Sequence, residues 1–163
     1  MDEDGCAICA GPAGDAELGR VEVWRDDRWR LSMSTEGYTL GFSYLEPLRH
    51  VPHIEDLDGE EAATFGPTIA RVCGALKEAA NAERIFVYVF GGGIAHLHVH
   101  LGPHVAGDAL NSAIIRGEVA EEKLPSGATR MTSLEFRELP RAEIGAMIER
   151  TTRLLASTTR PSA

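Results

Sequence analysis

The sequence contains the stretch His96-Leu97-His98-Val99-His100-Leu101, in which histidine alternates strictly with branched apolar residues. Because successive side chains of a β-strand point to opposite faces, this spacing predicts three imidazoles on one face and three apolar side chains on the other. Imidazoles two residues apart lie about 6.5–7 Å apart along a strand, so neighbouring rings can act on one substrate or one metal ion. The stretch therefore predicts a strand that is either catalytic or metal-binding.

A run of three glycines, Gly91-Gly92-Gly93, directly precedes this strand. Glycines let the backbone approach a ligand without obstruction by side chains, and their amides can face phosphate oxygens. A neutral imidazole is a competent nucleophile near neutral pH, since its unperturbed pKa is about 6.5. Glycines followed by histidines thus favour catalysis on a bound ligand, although alternating histidines also suit zinc.

Length and charge exclude several other classes of protein. The 163 residues suit one domain with a proper core, and the net charge is −9. This balance argues against general binding to a nucleic-acid backbone or an anionic membrane, since both require a basic surface. No apolar run is long enough to cross a bilayer, and the acidic N-terminus lacks a secretory signal, so we expect a cytoplasmic protein.

Hydrophobic periodicity predicts an α+β fold. Alternation at positions 21–24, 29–34 and 38–44 predicts three strands, the last ended by Pro47. Residues 84–90 are apolar on both faces, which is typical of a central strand covered on each side. With the histidine strand and two helices, the order β-β-β-α-β-β-α indicates an antiparallel sheet.

Two helices are expected, one before and one after the last two strands in the sequence. Asp58 and Glu61 have the spacing of a capping box, and an apolar stripe then extends to residue 80. Pro67 lies inside that stripe, so the helix is expected to kink or to begin later. Pro140 precedes a second helix with one apolar side.

The paired cysteines Cys6 and Cys9 are two residues apart. In a reducing compartment this spacing indicates half of a metal site or a redox pair before a structural disulfide. Two thiolates alone leave two positions of a tetrahedral metal empty. Cys73 lies on the apolar helix stripe and is expected to be part of the core.

Taken together, these residues resemble the histidine-triad superfamily, whose signature is His-φ-His-φ-His-φ-φ with φ apolar. The segments at 29–34, 37–40, 47–50 and 54–57 are similar to further family segments, and Gly102 stands where the signature ends on an apolar residue. The resemblance implies an antiparallel β-meander with a helix packed on it, an additional C-terminal helix and a homodimer. It covers about residues 6–104 of a single domain at 1–156, with 105–156 as an extension and 157–163 as a disordered tail.

The resemblance also implies roles for individual residues. His98 would attack the α-phosphorus of a nucleotide and form a covalent nucleotidyl-histidine, and His100 would contact the phosphate or assist the leaving group. Residues Gly91, Gly92 and Gly93 would contact the substrate together with His100. Relatives with a similar cysteine pair complete a zinc site with two histidines, which here would be His50 and His96.

The implied function is hydrolysis of a nucleoside phosphoramidate, a dinucleoside polyphosphate or a related nucleotide ester. Histidine at position 100, where transferring relatives often have glutamine, favours hydrolysis over nucleotidyl transfer to a sugar phosphate or another acceptor. A third alternative is a zinc-stabilised, non-catalytic nucleotide-binding protein, because residues 91–93 lack the side-chain donors usual in the family. Without such donors, phosphate contacts would come from backbone amides, Lys123 or Arg130. His53 and His104 are expected to be exposed or flanking.

Overall fold

The computed structural model of the chain describes residues 5–106, 108, 119–125, 127, 129–134 and 136–157. Its elements combine three α-helices with two antiparallel sheets. In chain order they are α1 (Pro12–Glu17), β1 (Arg20–Arg25), β2 (Trp29–Ser34), β3 (Ser43–Pro47), a 3-10 turn (Ile54–Asp56), α2 (Gly59–Ala80), β4 (Arg84–Tyr88), β5 (Val99–His104), β6 (Val119–Lys123), β7 (Thr129–Ser133) and α3 (Arg141–Ser157).

The larger sheet has five antiparallel strands in the order β1-β2-β3-β5-β4, which confirms the predicted α+β class. One face of the sheet is apolar and packs against α2 and α3. The core includes alternate residues of β2 together with Leu97, Val99 and Leu101. The predicted alternation of the histidine stretch is therefore confirmed on its apolar side, because these three residues are almost completely buried.

Three strand predictions need correction. The histidine strand begins at Val99 and ends at His104, so His96 and His98 lie in the segment that leads into it. The third strand begins at Ser43 rather than at residue 38, although it does end at Pro47. Residues 84–88 form an edge strand, not a central one, because the chain turns back after β4 and inserts β5 between β4 and β3.

The edge position explains why β4 is apolar and yet exposed. Val87 in β4 is 47% exposed, and Val89 and Phe90, just beyond the strand, are 41% and 54% exposed. A strand with apolar residues on both faces is buried on both faces only when other strands and helices cover it.

Helix α2 begins one residue after Asp58, as predicted, but the capping box does not form. Arg49 bonds to the carboxylates of Asp58 and Glu61 instead. The helix is continuous through Pro67, so of the two expected effects of this proline the later start does not occur. Pro67 lies on the exposed side of α2, where water can satisfy the carbonyl that loses its N–H donor.

Helix α3 packs along α2, and each helix supplies an arginine to the other. Arg71 of α2 donates to the carbonyl of Leu155 near the end of α3 (3.1 Å). Arg150 of α3 donates to the carbonyl of Ala79 near the end of α2 (3.1 Å). These arginines satisfy carbonyls that a helix end leaves without intrahelical donors.

The remaining described residues include a two-stranded sheet formed by β6 and β7. Its turn is closed by a bond from the Gly127 amide to the Leu124 carbonyl. Of the predicted tail at 157–163, Ser157 is the last residue of α3 and the rest lies outside the described residues. Within the described part of the chain, no helix is both long and apolar enough to cross a membrane.

The face of the larger sheet opposite the core carries a buried network of charges. Arg30 donates to Glu46 (2.8 Å) and to Asp15 of α1 (2.9 and 3.1 Å), and Arg20 donates to Glu46 (2.8 Å). Glu46 has no exposed surface, and Arg20 also stacks on Tyr44 at 3.5 Å from the ring centre. Two cations balance two anions, so the network joins α1 to strands β1, β2 and β3 without a net buried charge.

Candidate functional site

Two cysteines and two histidines that are distant in sequence come together beside the start of β5. Metal-binding atoms of Cys6, Cys9, His50 and His96 all lie within 4.8 Å of one another. Nδ1 of His96 is 3.5 Å from Sγ of Cys6 and 3.3 Å from Sγ of Cys9, and Nδ1 of His50 is 3.3 Å from Sγ of Cys9. A tetrahedral zinc ion holds a sulfur and a nitrogen ligand about 3.5 Å apart, so these side chains fit a structural zinc site.

The orientation of the His96 ring supports this fit. Its Nε2 lies 3.0 Å from the carbonyl oxygen of Pro47. Because a carbonyl can only accept, Nε2 carries the proton and the lone pair is on Nδ1, which faces both cysteine sulfurs. Metal-binding histidines commonly donate their second N–H to such a partner. Burial lowers the pKa of His96 to about 4, so the ring is neutral and able to bind a metal at pH 7.

Helix α1 supports the turn that contains the two cysteines. The turn is closed by bonds from the Ala10 amide to the Cys6 carbonyl and from the Gly11 amide to the Ile8 carbonyl. Gly14 packs so closely that a Cβ there would lie 1.7 Å from the carbonyl oxygen of Ala7. Only glycine therefore allows α1 to contact the turn in this way.

Within the described residues, one ring nitrogen of His98 makes a hydrogen bond and the other makes none. Its Nδ1 lies 2.6 Å from the carbonyl oxygen of His96, so Nδ1 carries the proton and donates it. The lone pair is consequently on Nε2, on the far side of the ring. Burial lowers the pKa of His98, partly offset by this bond, while the nearby Arg20 cation lowers it further. The imidazole is thus neutral at pH 7 and nucleophilic at Nε2.

His100 lies among aromatic rings on the same face as His98. Its ring centre is 5.0 Å from that of His98, 5.1 Å from that of Tyr44 and 5.1 Å from that of Phe90. Phe42 is 5.9 Å away. The two histidines predicted to be catalytic are therefore neighbours, whereas His96 turns away towards the cysteines.

A cleft of about 330 Å³ opens beside His98. Gly91 lines it, whereas Gly92 and Gly93 do not. Gly91 has φ +66° and Gly93 has φ +86°, a conformation that L side chains rarely adopt, so glycine is required at both positions by the turn itself. The remaining lining residues are Pro52, His53, Ile54, Glu55, Val89, Phe90, His96 and Leu97.

Sequence reasoning missed part of this lining. His53 was expected to be exposed or flanking, but it lines the cleft with Glu55. Both belong to the segment after His50, and a ligand at His50 was the available signal that this segment approaches the histidine strand. His104 is buried rather than exposed and bonds to Asp108 (3.1 Å), outside the cleft lining.

The two cations considered for phosphate contact lie elsewhere. Lys123 donates to the hydroxyl of Thr129 (2.6 Å), and Arg130 pairs with Glu122 (3.7 Å). Both interactions join β6 to β7, and neither side chain lines the cleft.

No protein-family model matches the chain, and no curated protein matches it.

Several solved structures nevertheless have the same fold. A zinc-bound histidine triad family protein from Mycobacterium smegmatis aligns with a TM-score of 0.64 and 20% identity over 96% of this chain and 99% of that protein. A hypothetical histidine triad nucleotide-binding protein from Sulfolobus tokodaii aligns with a TM-score of 0.63 and 18% identity over 96% and 94% of the two chains. Diadenosine triphosphate hydrolase from Plasmodium falciparum aligns with a TM-score of 0.53 and 16% identity over 83% and 74%.

These likenesses extend over most of each chain, and they agree with the histidine alternation and the cysteine–histidine cluster. The chain has the histidine-triad fold, with a Cys2His2 cluster suited to zinc beside the histidine strand.

Proposed function

We propose that this protein is a nucleotide hydrolase that acts at an α-phosphate through a covalent nucleotidyl-histidine on His98. The observation that carries the proposal is the bond from Nδ1 of His98 to the carbonyl of His96, which leaves the lone pair on Nε2 of a neutral ring beside the cleft. The nucleotide-binding and hydrolase names of two structural neighbours support the substrate class.

The first step forms a bond between Nε2 of His98 and the α-phosphorus, and breaks the bond from phosphorus to the leaving group. The imidazole loses its lone pair to phosphorus, and its Nδ1–H stabilises the resulting positive ring by donating to the His96 carbonyl. His100, whose ring is 5.0 Å from that of His98, is suited to contact a phosphate oxygen or to protonate the leaving group. Backbone amides near Gly91 are suited to contact the phosphate.

In the second step, water attacks the α-phosphorus, its proton passes to the solvent, and the phosphorus–nitrogen bond breaks. Its electrons return to Nε2 of His98, and a nucleoside monophosphate leaves. The Cys2His2 cluster takes no part in this chemistry. A structural zinc held there would fix the segment that carries His96 and thus the carbonyl that orients His98.

The proposal is tested with His98→Ala and His98→Gln beside the unchanged protein, on adenosine and guanosine phosphoramidates, dinucleoside polyphosphates and nucleoside-diphosphate sugars. We expect turnover only in the unchanged protein, and a mass increase of one nucleotidyl group on the peptide containing His98 after a denaturing quench at alkaline pH, where the phosphorus–nitrogen bond survives. Matching thermal unfolding curves show that the variants are folded. Turnover retained in both folded variants contradicts the proposal.

The same assay separates two alternatives. Transfer of the nucleotidyl group to an added sugar phosphate, with ping-pong kinetics, would identify a transferase. Nucleotide binding without any turnover would identify a zinc-stabilised binding protein, an alternative favoured by the absence of side-chain donors at Gly91, Gly92 and Gly93.

We further propose that two copies pair along β4. The strand is an edge of the larger sheet, and its neighbouring apolar side chains Val87 and Val89 are nearly half exposed. An exposed apolar edge readily adds a strand from another chain. Light scattering of the purified protein should give the mass of a dimer, and Val87→Lys should give a monomer.

The remaining proposals concern organisation and location. We infer that residues 1–156 form one domain, because α3 of the extension packs against α2 and contributes Met147 and Leu155 to the same core as the sheet. A reducing compartment such as the cytoplasm suits the cluster, since Cys6 and Cys9 bind metal as thiolates.

A further inference from the structure

Three aromatic residues form a continuous row along β4 and just beyond it. The ring centres of Phe86 and Tyr88 are 6.1 Å apart, and those of Tyr88 and Phe90 are 5.5 Å apart with the planes only 14° from parallel. We call Phe86, Tyr88 and Phe90 the aromatic stripe. Because Phe86 and Tyr88 pair with Gly102 and His100 of β5, the stripe lies on the same face as the catalytic histidines.

The stripe starts at the cleft and extends away from it. Phe90 lines the cleft and lies 5.1 Å from the His100 ring, whereas Phe86 and Tyr88 do not line it. Phe90 is 54% exposed, and the other two rings are partly exposed. Neighbouring aromatic rings that are at least partly open to solvent beside a reactive group provide a surface on which a further planar ring can stack.

The size of the cleft gives this surface a role. A cleft of about 330 Å³ is near the lower end of the range for small-molecule sites, so it suits one half of a two-part nucleotide. The group on the far side of the bond that breaks must then lie outside the cleft. The stripe is the aromatic surface that continues from the cleft mouth at Phe90.

We propose that the aromatic stripe is a binding subsite for the leaving group and selects leaving groups that carry a planar aromatic ring, such as a second nucleobase. This inference rests on the proposed hydrolysis at His98. It makes Tyr88 and Phe86 specificity-determining residues, which bind the leaving group and do not touch the reacting atoms. One base stacked on an aromatic side chain typically strengthens binding by about 5- to 150-fold.

The test uses two substrates that differ only in that ring. They are diadenosine triphosphate and its analogue with ribose alone in place of the second adenosine. In the unchanged protein, kcat/KM should be about 5- to 150-fold higher for the substrate with two bases. In Tyr88→Leu and Phe86→Leu, which keep an apolar side chain without the ring, this ratio should fall towards one. Val21→Ala, an exposed apolar change on the opposite edge strand, should preserve the ratio.

The outcomes separate this inference from the proposed function. If both substrates are cleaved equally well by the unchanged protein, the stripe does not select the leaving group, and the hydrolase proposal stands. If neither is cleaved, calorimetric binding to the same protein decides: tighter binding of the two-base compound supports the stripe, and equal binding or none overturns it. A Tyr88→Leu protein that changes from dimer to monomer in light scattering assigns the stripe to the contact between copies and also overturns the inference.

Discussion

The side chain of His98 donates from Nδ1 to the main-chain carbonyl of His96 over 2.6 Å, while the side chain of His96 faces Cys6 and Cys9. A single residue therefore contributes its ring to the Cys2His2 cluster and its backbone to the proposed nucleophile. Any movement of His96 changes both at once. The geometry of the cluster is consequently part of the geometry of the proposed reaction, although the cluster takes no part in the proposed chemistry.

Replacing Cys9 by serine should remove zinc from the protein. Sγ of Cys9 lies 3.3 Å from Nδ1 of both histidine ligands. Loss of a residue that only hydrogen-bonds to a metal ligand typically weakens metal binding by roughly 10–100-fold. Loss of a direct ligand such as Cys9 should weaken zinc binding by more than this. Elemental analysis should find about one zinc per chain in the unchanged protein and much less in Cys9→Ser, with a lower Tm. The control is Cys73→Ser, which lies outside the cluster and should keep its zinc. Equal zinc content in both variants would contradict the site.

Gly14→Ala should loosen the turn that carries the cysteines. The new Cβ would lie 1.7 Å from the Ala7 carbonyl, so α1 must shift, at a cost of about 1–3 kcal/mol. Chemical denaturation should give a lower free energy of unfolding. Competition with a zinc chelator should show weaker zinc binding. Gly74→Ala is the matched control, because nothing lies within 4 Å of its Cβ in α2 and alanine favours a helix by about 0.5–1 kcal/mol. A Gly14→Ala protein as stable as Gly74→Ala would show that the close packing of α1 is unimportant.

Glu46→Gln should destabilise the fold while leaving its shape unchanged. The neutral amide cannot balance Arg20 and Arg30, and removing one partner of a buried ion pair typically costs about 3–5 kcal/mol. The midpoint of urea denaturation should therefore fall markedly. Glu149→Gln, in an exposed pair with Arg153, should barely move the midpoint, because solvent screens surface pairs. A midpoint equal to that of Glu149→Gln would rule out an energetic role for the network.

The thiol of Cys73 should react slowly at neutral pH. Burial raises its pKa from 9.0 to about 11, so the reactive thiolate is a minor form until strongly alkaline pH. In the folded, zinc-loaded protein, alkylation at Cys73 should rise about tenfold per pH unit between pH 7 and 10. Peptide mapping should show faster alkylation of Cys73 in urea at each of these pH values. A rate that levels off between pH 9 and 10 in the folded protein would indicate a thiol with an ordinary pKa.

Periodicity along the chain was sufficient to predict the class of fold and the inner face of the histidine strand. Leu97, Val99 and Leu101 are buried because side-chain alternation is a local property of an extended backbone. Periodicity could not reveal that β4 is an edge strand. The order of strands depends on contacts that are distant in sequence, and an apolar edge resembles a covered centre.

The site was predicted to a similar extent. The family resemblance predicted the four residues that would bind zinc, and these residues do come together. His98 and His100 are neighbours, as expected. His53 was expected to be exposed or flanking, but it lines the cleft. Its place in the cleft depends on the path of the chain between β3 and α2, which no local spacing encodes.

The two arginine hydrogen bonds between α2 and α3 affect how the ends of these helices unfold. Because Arg71 bonds to Leu155 and Arg150 bonds to Ala79, fraying at the end of either helix breaks a bond that the other helix supplies. The two helix ends should therefore open as one cooperative unit, and their amides should exchange with deuterium at matching rates. Substitution of Arg150 would then speed exchange in both helices, although the residue belongs to only one of them.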